Sequence, residues 1–122
     1  MAVPFQIPHQ TPSLTNTREH WRRRAKRAQA QRRDARLLTH ASLSVGDYVW
    51  LQAAGGRITL TRVCGGSKLL DDDNLPPALK SIRDGIADAI VLDDGDRRLT
   101  WVYLQERGRV PCVRVLIEVN RP

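Results

Sequence analysis

Residues 18–38 contain neither glycine nor proline and are built largely from Arg, Ala and Gln, a composition that favours one long helix. Nine of these residues are basic (Arg18, Arg22, Arg23, Arg24, Lys26, Arg27, Arg32, Arg33 and Arg36), and only Glu19 and Asp34 are acidic. The stretch therefore carries the whole formal excess of +7, and the rest of the chain is balanced. Thr17 is the expected N-cap, its hydroxyl taking up a free amide of the first turn. Trp21, Ala25, Ala28 and Ala35 make a thin, small-residue stripe through which such a helix can pack closely while turning arginine to solvent. Charge this one-sided exceeds what intrahelical ion pairs absorb, so a polyanion is the natural partner. A membrane surface is disfavoured because the segment lacks a broad face of large apolar residues.

The remainder reads as one domain with a modest core. At 122 residues, 41% hydrophobic and 27% charged, the composition is that of an ordinary globular chain rather than a disordered one. No apolar run approaches the roughly 20 residues a membrane span needs. The N-terminal residues lack the basic start and apolar stretch of a signal peptide, so the expectation is a cytoplasmic protein. Cys64 and Cys112 are isolated and expected to be buried free thiols. His9, His20 and His40 have neither the spacing of a zinc site nor that of a catalytic triad. The pairs Gly55-Gly56 and Gly65-Gly66 lack the lysine-plus-hydroxyl ending of a phosphate loop.

Residues 1–16 are interrupted by Pro4, Pro8 and Pro12 and are expected to be poorly structured or to supply a short edge strand over residues 3–7. Residues 47–53 (DYVWLQA) and 57–63 (RITLTRV) read as a hairpin turning at Ala54-Gly55-Gly56. A second helix is expected over 76–90, prolines suiting its first turn and Leu79, Ile82, Ile86 and Ile90 forming its buried face. Residues 99–105 and 112–119 read as a final hairpin around Gly108. The order helix, two strands, helix, two strands predicts an α+β domain, a small mixed sheet with two helices packed on it.

The acidic residues carry the chemistry. Asp71, Asp72 and Asp73 lie between a predicted strand and a predicted helix, and Asp93-Asp94 follow that helix. In an extended segment alternate side chains share a direction, so Asp71 and Asp73 would point together and Asp72 away. Crowded carboxylates repel, and a magnesium ion relieves this by taking one or two of them with water and phosphate oxygens. The intervening helix would be roughly 20 Å long, so Asp94 meets Asp73 only if the chain doubles back after Ile90. The plainer alternative is that the Asp run caps a helix and interacts with its dipole, and that Asp93-Asp94-Gly95-Asp96 is an ordinary turn. Lys80 and Asp84, four apart, fit a surface ion pair; the functional alternative sets Lys80 against a phosphate. A nuclease needs both halves of this pattern, carboxylates for a metal and cations for a polyanion. With no base-reading motif in view, contacts should fall on phosphates and weaken steeply with salt.

These residues resemble a known family. The run Asp71-Asp72-Asp73-Asn74-Leu75, then Lys80 with Asp84 four residues on, then Leu92-Asp93-Asp94, is similar to the pattern of the RusA-like Holliday junction resolvases: D-x-D-N-L, a lysine followed four residues later by an aspartate, and a D-D pair. The segment Asn16-Thr17-Arg18-Glu19-His20-Trp21-Arg22-Arg23-Arg24 resembles the N-terminal region of phage and prophage members. In the family pattern the lysine follows the asparagine more closely; here Leu75-Pro76-Pro77-Ala78-Leu79 intervenes. The resemblance implies a homodimeric, magnesium-dependent endonuclease, manganese substituting, that resolves branched DNA by symmetric nicks in a bacterial or phage-infected cell. It implies Asp71, Asp73 and Asp94 as metal ligands and Lys80 as the catalytic lysine. Asp72, Asn74 and Asp93 are then supporting residues, and Arg18, Arg22, Arg23, Arg24, Lys26 and Arg27 hold DNA. Two other classes fit the same residues: a non-catalytic DNA-binding protein whose Asp cluster caps a helix, and a magnesium-dependent nucleotide phosphohydrolase.

Overall fold

The computed structural model describes residues 2–14, 20–66 and 68–122. The elements run β1 (Ala2–Ile7), α1 (Trp21–Ser42), α2 (Val45–Ala54), β2 (Gly56–Val63), α3 (Leu75–Ala78), α4 (Lys80–Ile90), β3 (Leu99–Glu106) and β4 (Cys112–Val119). One mixed sheet has the order β1-β4-β2-β3, with β2 and β3 parallel and the other two pairings antiparallel. The chain is thus a single small α+β domain, with four helices among the described residues where the sequence suggested two. None of its helices among the described residues is long and apolar enough to cross a membrane.

One face of the sheet forms the core. Ile58 pairs with Ile117 and Leu60 with Val115 across β2 and β4, and Ile7 pairs with Val113 across β1 and β4. All are buried together with Ile82, Ile86 and Ile90 of α4, the face its helical spacing predicted. Each such side chain stabilises the fold by about 1.5–3 kcal/mol relative to exposure. The other face carries Thr59, Thr61, Val102, Leu116 and the Arg57–Glu118 ion pair (2.9 Å), a mixed surface with little to bury. The edge strand at the N-terminus is present, and Pro4 sits in it, where a missing amide is tolerated.

Helix α1 begins at Trp21, with the His20 side chain accepting from the Arg22 amide (3.1 Å). The expected cap at Thr17 and the cation Arg18 lie outside the described residues. The packing stripe is the predicted one only in its C-terminal part, at Ala35 and the half-buried Ala28. Ala35 is fully buried beside Gln31 and Thr39, whereas Trp21 is 67% exposed and Ala25 is exposed too. What draws α1 onto α4 is a close approach at Gly85, where a Cβ would stand 2.2 Å from the Arg32 carbonyl oxygen. Arg32 then clamps Asp88 through two hydrogen bonds (2.6 and 2.9 Å).

Neither predicted hairpin forms. Residues 47–53 are helical, because Ser44 and Asp47 make a reciprocal cap: the Ser44 hydroxyl accepts from the Asp47 amide, and the Asp47 carboxylate accepts from the Ser44 amide. That cap, with Leu51 buried one turn later, overrides the strand preference of Tyr48, Val49 and Trp50. Gly55, at φ 78°, ends the helix instead of turning a hairpin. At the other end, β3 pairs with β2 in parallel through the intervening helices, and β4 inserts on β2's other side. The connection from β3 to β4 therefore crosses the end of β2, with Gly108 so close to Val63 that a Cβ would stand 2.6 Å from its side chain. The expected helix over 76–90 is also divided, α3 ending and α4 starting at Leu79. Cys64 is buried and Cys112 half-buried, and neither is in a disulfide.

The cap makes a testable point. Asp47 is buried and its carboxyl is held below the usual range, chiefly by the Ser44 amide and further by Arg121. A depressed folded pKa contributes stability that is complete above the unfolded value near 3.8 and is lost as pH falls through the folded one. Asp47→Ala should cost about 1 kcal/mol at neutral pH. In denaturant titrations, its deficit should shrink toward zero as pH falls below the unfolded value; a deficit independent of pH would remove the charge from the explanation.

Candidate active site

The acidic loop leaves the C-terminal end of β2, the end of a parallel pair at which ligands commonly bind. It is anchored to β3 by one side chain. The Gln105 carbonyl accepts from the Leu70 amide (3.0 Å), and the Gln105 amide donates to the Leu70 carbonyl (2.7 Å). Gln105 in turn accepts from Arg62 (3.3 Å), a residue only 3% exposed that also donates to the carbonyl of Thr11 (2.8 Å) and to its hydroxyl (3.2 Å). Burial pushes the Arg62 pKa down. Beyond Leu70 the chain turns tightly, the Asp71 carbonyl accepting from the Asn74 and Leu75 amides (2.9 and 3.1 Å). Asp71, Asp72 and Asp73 project into solvent, Asn74 is half-buried, and Leu75 is in the core. The alternative that this run caps a helix lacks its hydrogen bond: the N-cap of α3 is Asn74, with no side-chain cap, and the first turn of α4 is not capped by a side chain either.

A second group of charges forms where the chain doubles back. Val91 takes the left-handed conformation (φ 63°) and ends α4, and residues 93–96 then form a turn. This returns Asp94 along α4 to Lys80, fourteen residues earlier. Lys80 Nζ donates to Asp94 Oδ2 (2.8 Å) and to Asp84 Oδ1 (2.6 Å), so the i,i+4 pair and the long-range contact are both present. Arg83 reaches the same Asp94 oxygen (3.0 Å) and donates to the Asp94 carbonyl (2.8 Å) and the Tyr103 hydroxyl (2.7 Å). Its guanidinium lies 4.8 Å from the Trp101 ring centre, and the indole N–H of Trp101 donates to the same Asp94 carbonyl (2.7 Å). Lys80 holds the Asp94 carboxyl below the ordinary carboxylate range, with Arg83 adding to the effect. Asp84 and Asp94 raise the Lys80 pKa correspondingly.

Lys80 and Asp94 are therefore brought together, while Asp93 remains exposed. The donor chemistry of Asp71, Asp73 and Asp94 suits a hard divalent cation. The arrangement does not: among the described residues no three His, Cys, Asp or Glu side chains form a group able to hold a metal ion, and Asp94 is committed to two cations. Arg83, Trp101, Tyr103, Gln105 and Arg62 went unassigned in the sequence. The one signal for the three β3 residues is that W-x-Y-x-Q alternates toward the covered face, ending in a polar side chain where a core strand should stay apolar.

Of the α1 cations, Arg22, Arg23 and Lys26 are exposed and Arg24 and Arg27 half-buried. The inward pair lines a cleft with Ala28 of α1, Leu14, and Pro77 and Lys80 of the α3–α4 segment. A second cleft, holding Arg83, Asp94 and Tyr103, shares Pro77 and Lys80 with the first. Searches against family models, curated proteins and solved structures found no match for this chain.

Proposed function

We propose that the chain is a metal-dependent endodeoxyribonuclease that resolves four-way DNA junctions, acting in the cytoplasm of a bacterial or phage-infected cell. The observation that carries this reading is the contact between Lys80 and Asp94, which the junction-resolvase resemblance assigns to one site and which lie fourteen residues apart in the chain. The arginines of α1 border that site through Pro77 and Lys80, so cations suited to a polyanion adjoin the carboxylates. The missing side-chain cap at α3 weighs against a purely structural role for the Asp run.

In this reading Asp71, Asp73 and Asp94 are the metal ligands, with Asp72, Asn74 and Asp93 supporting them. Because the three carboxylates do not form a coordination group as they stand, metal capture requires the 71–73 loop and Asp94 to come together. Magnesium, or manganese in its place, supplies charge neutralisation at a phosphate and a more acidic water. Two symmetric cuts need two sites, which a two-fold dimer provides.

The test is a synthetic four-way junction with magnesium. Asp73→Asn should abolish cutting while junction binding persists. Wild-type protein that leaves junctions, flaps and duplexes intact would sink the nuclease reading, and hydrolysis of free nucleotides would replace it with a phosphohydrolase.

A further inference from the structure

Arg62 is a cation where a core strand calls for an apolar side chain. Alternation along β2 turns Ile58, Leu60 and Arg62 to the covered face of the sheet, and Arg62 is buried with the other two. Taking a guanidinium out of water is costly, and an apolar residue of similar size would avoid that cost. Among the described residues no carboxylate pairs with it; its donors go to the Thr11 carbonyl and hydroxyl and to the Gln105 oxygen. Gln105 is its register partner on β3. An arginine can only donate, so the Gln105 oxygen must face Arg62, and the amide NH2 is left to face the Leu70 carbonyl. The same oxygen accepts from the Leu70 amide. Turned the other way, the Gln105 amide would set donor against donor and acceptor against acceptor at Leu70. Arg62 thus selects the one orientation in which both ends of Gln105 bond to the Leu70 backbone.

Leu70 immediately precedes Asp71. At the other end of the acidic run Leu75 is anchored in the core, and the Asp71 carbonyl accepts from the Asn74 and Leu75 amides across the turn. The three aspartates therefore ride on a short turn held at both ends. We infer that Gln105, oriented by Arg62, is a positioning residue for Asp71 and Asp73: its two bonds to Leu70 fix where the exposed carboxylates stand. Released at Leu70, the turn would pivot on Leu75 and spread its carboxylates over many positions. A cation that needs more than one of them would then bind less tightly, because the ordering has to be made up on binding. This rests on the nuclease reading for the cation and deepens it: Gln105 and Arg62 act through the Leu70 backbone rather than by contact with metal or phosphate.

The experiment is Gln105→Met, which keeps length and net charge, removes both bonds to Leu70 and leaves Arg62 on Thr11. Hydrogen exchange of the Leu70 amide in metal-free protein should quicken by about tenfold or more. Affinity for manganese alone, followed by electron paramagnetic resonance, should fall by about tenfold, the scale of one lost net hydrogen bond. Gln105→Glu is the second variant. It keeps an acceptor for Arg62, so β2 and β3 stay joined and thermal melts should match wild type, but it sets a carboxylate oxygen against the Leu70 carbonyl and should weaken manganese binding too. A purely structural contact would lower the melting temperature in Gln105→Met and leave the manganese affinity of the folded protein unchanged. That result, or a Leu70 amide that exchanges as slowly as in wild type, overturns the inference; if Gln105→Met does not fold, the manganese affinity of Gln105→Glu decides in the same way. Wild-type protein that binds no manganese overturns the nuclease reading and this role with it, whereas normal binding by a folded variant overturns the positioning role and leaves the nuclease reading standing.

Discussion

Gly85→Ala is expected to destabilise the protein, the reverse of the usual sign for a glycine inside a helix. In an open helix interior, alanine gains about 1 kcal/mol over glycine. Here the new Cβ would stand 2.2 Å from the Arg32 carbonyl oxygen and 2.7 Å from the Ala35 Cβ. Both obstacles belong to α1 itself, so relief requires the two helices to separate. Separation loosens Ile82 and Ile86 in the core and pulls Arg32 from Asp88. A net loss of about 1–3 kcal/mol follows from overpacking of this kind, and Gly85→Val should lose more, since its branched side chain adds bulk at the same contact. Melting temperature should fall by about 4 °C per kcal/mol for a domain of this size. An alanine variant that melts above wild type would show that the helices do not approach here.

Asp94→Asn separates fold from chemistry. The Asp94 carbonyl, which accepts from Arg83 and Trp101, survives the substitution, so the returning turn should persist and thermal stability should change little. What is lost is the negative charge that Lys80 and Arg83 converge on. On the nuclease reading, junction cutting with magnesium should fall about a thousandfold, equivalent to ~4 kcal/mol of barrier. A variant that cuts at the wild-type rate would take Asp94 out of the site, whatever becomes of Asp71 and Asp73. A variant that fails to fold would mean that the charge, rather than the backbone, holds the turn.

Local periodicity carried some of the architecture and misread the rest for identifiable reasons. The spacing of Leu79, Ile82, Ile86 and Ile90, three residues and then four and four, marked the buried face of α4, because that face meets the sheet directly. The same reasoning found Ala35 but misplaced the start of the α1 stripe at Trp21 and Ala25, because the contact is set by the absence of a side chain at Gly85, fifty residues beyond Ala35. The stretch DYVWLQA shows how a short cap can outweigh strand propensity, since Ser44 and Asp47 had the three-residue spacing of a capping box. The false final hairpin has a different origin: nothing local in β3 records that its partner is β2, forty-three residues earlier at Ile58↔Trp101.

The same division runs through the candidate site. By itself the sequence determined the inventory: the concentrated cations of α1, the Asp71–Asp72–Asp73 run between a strand and a helix, a lysine and an aspartate on one helix, and a single α+β domain. These follow from composition and short-range pattern, which need no distant contact. The tertiary structure decided which of them meet. It joined Lys80 to Asp94 through the left-handed Val91 and the returning turn, brought in Arg83, Trp101 and Tyr103, and tied the acidic loop to β3 through Gln105. It also split the arginines of α1 into an outward set and an inward pair at the cleft. Each of these depends on where a chain reversal or a parallel crossover sets one element against another, and that is fixed by the packing of the whole core rather than by any window of sequence.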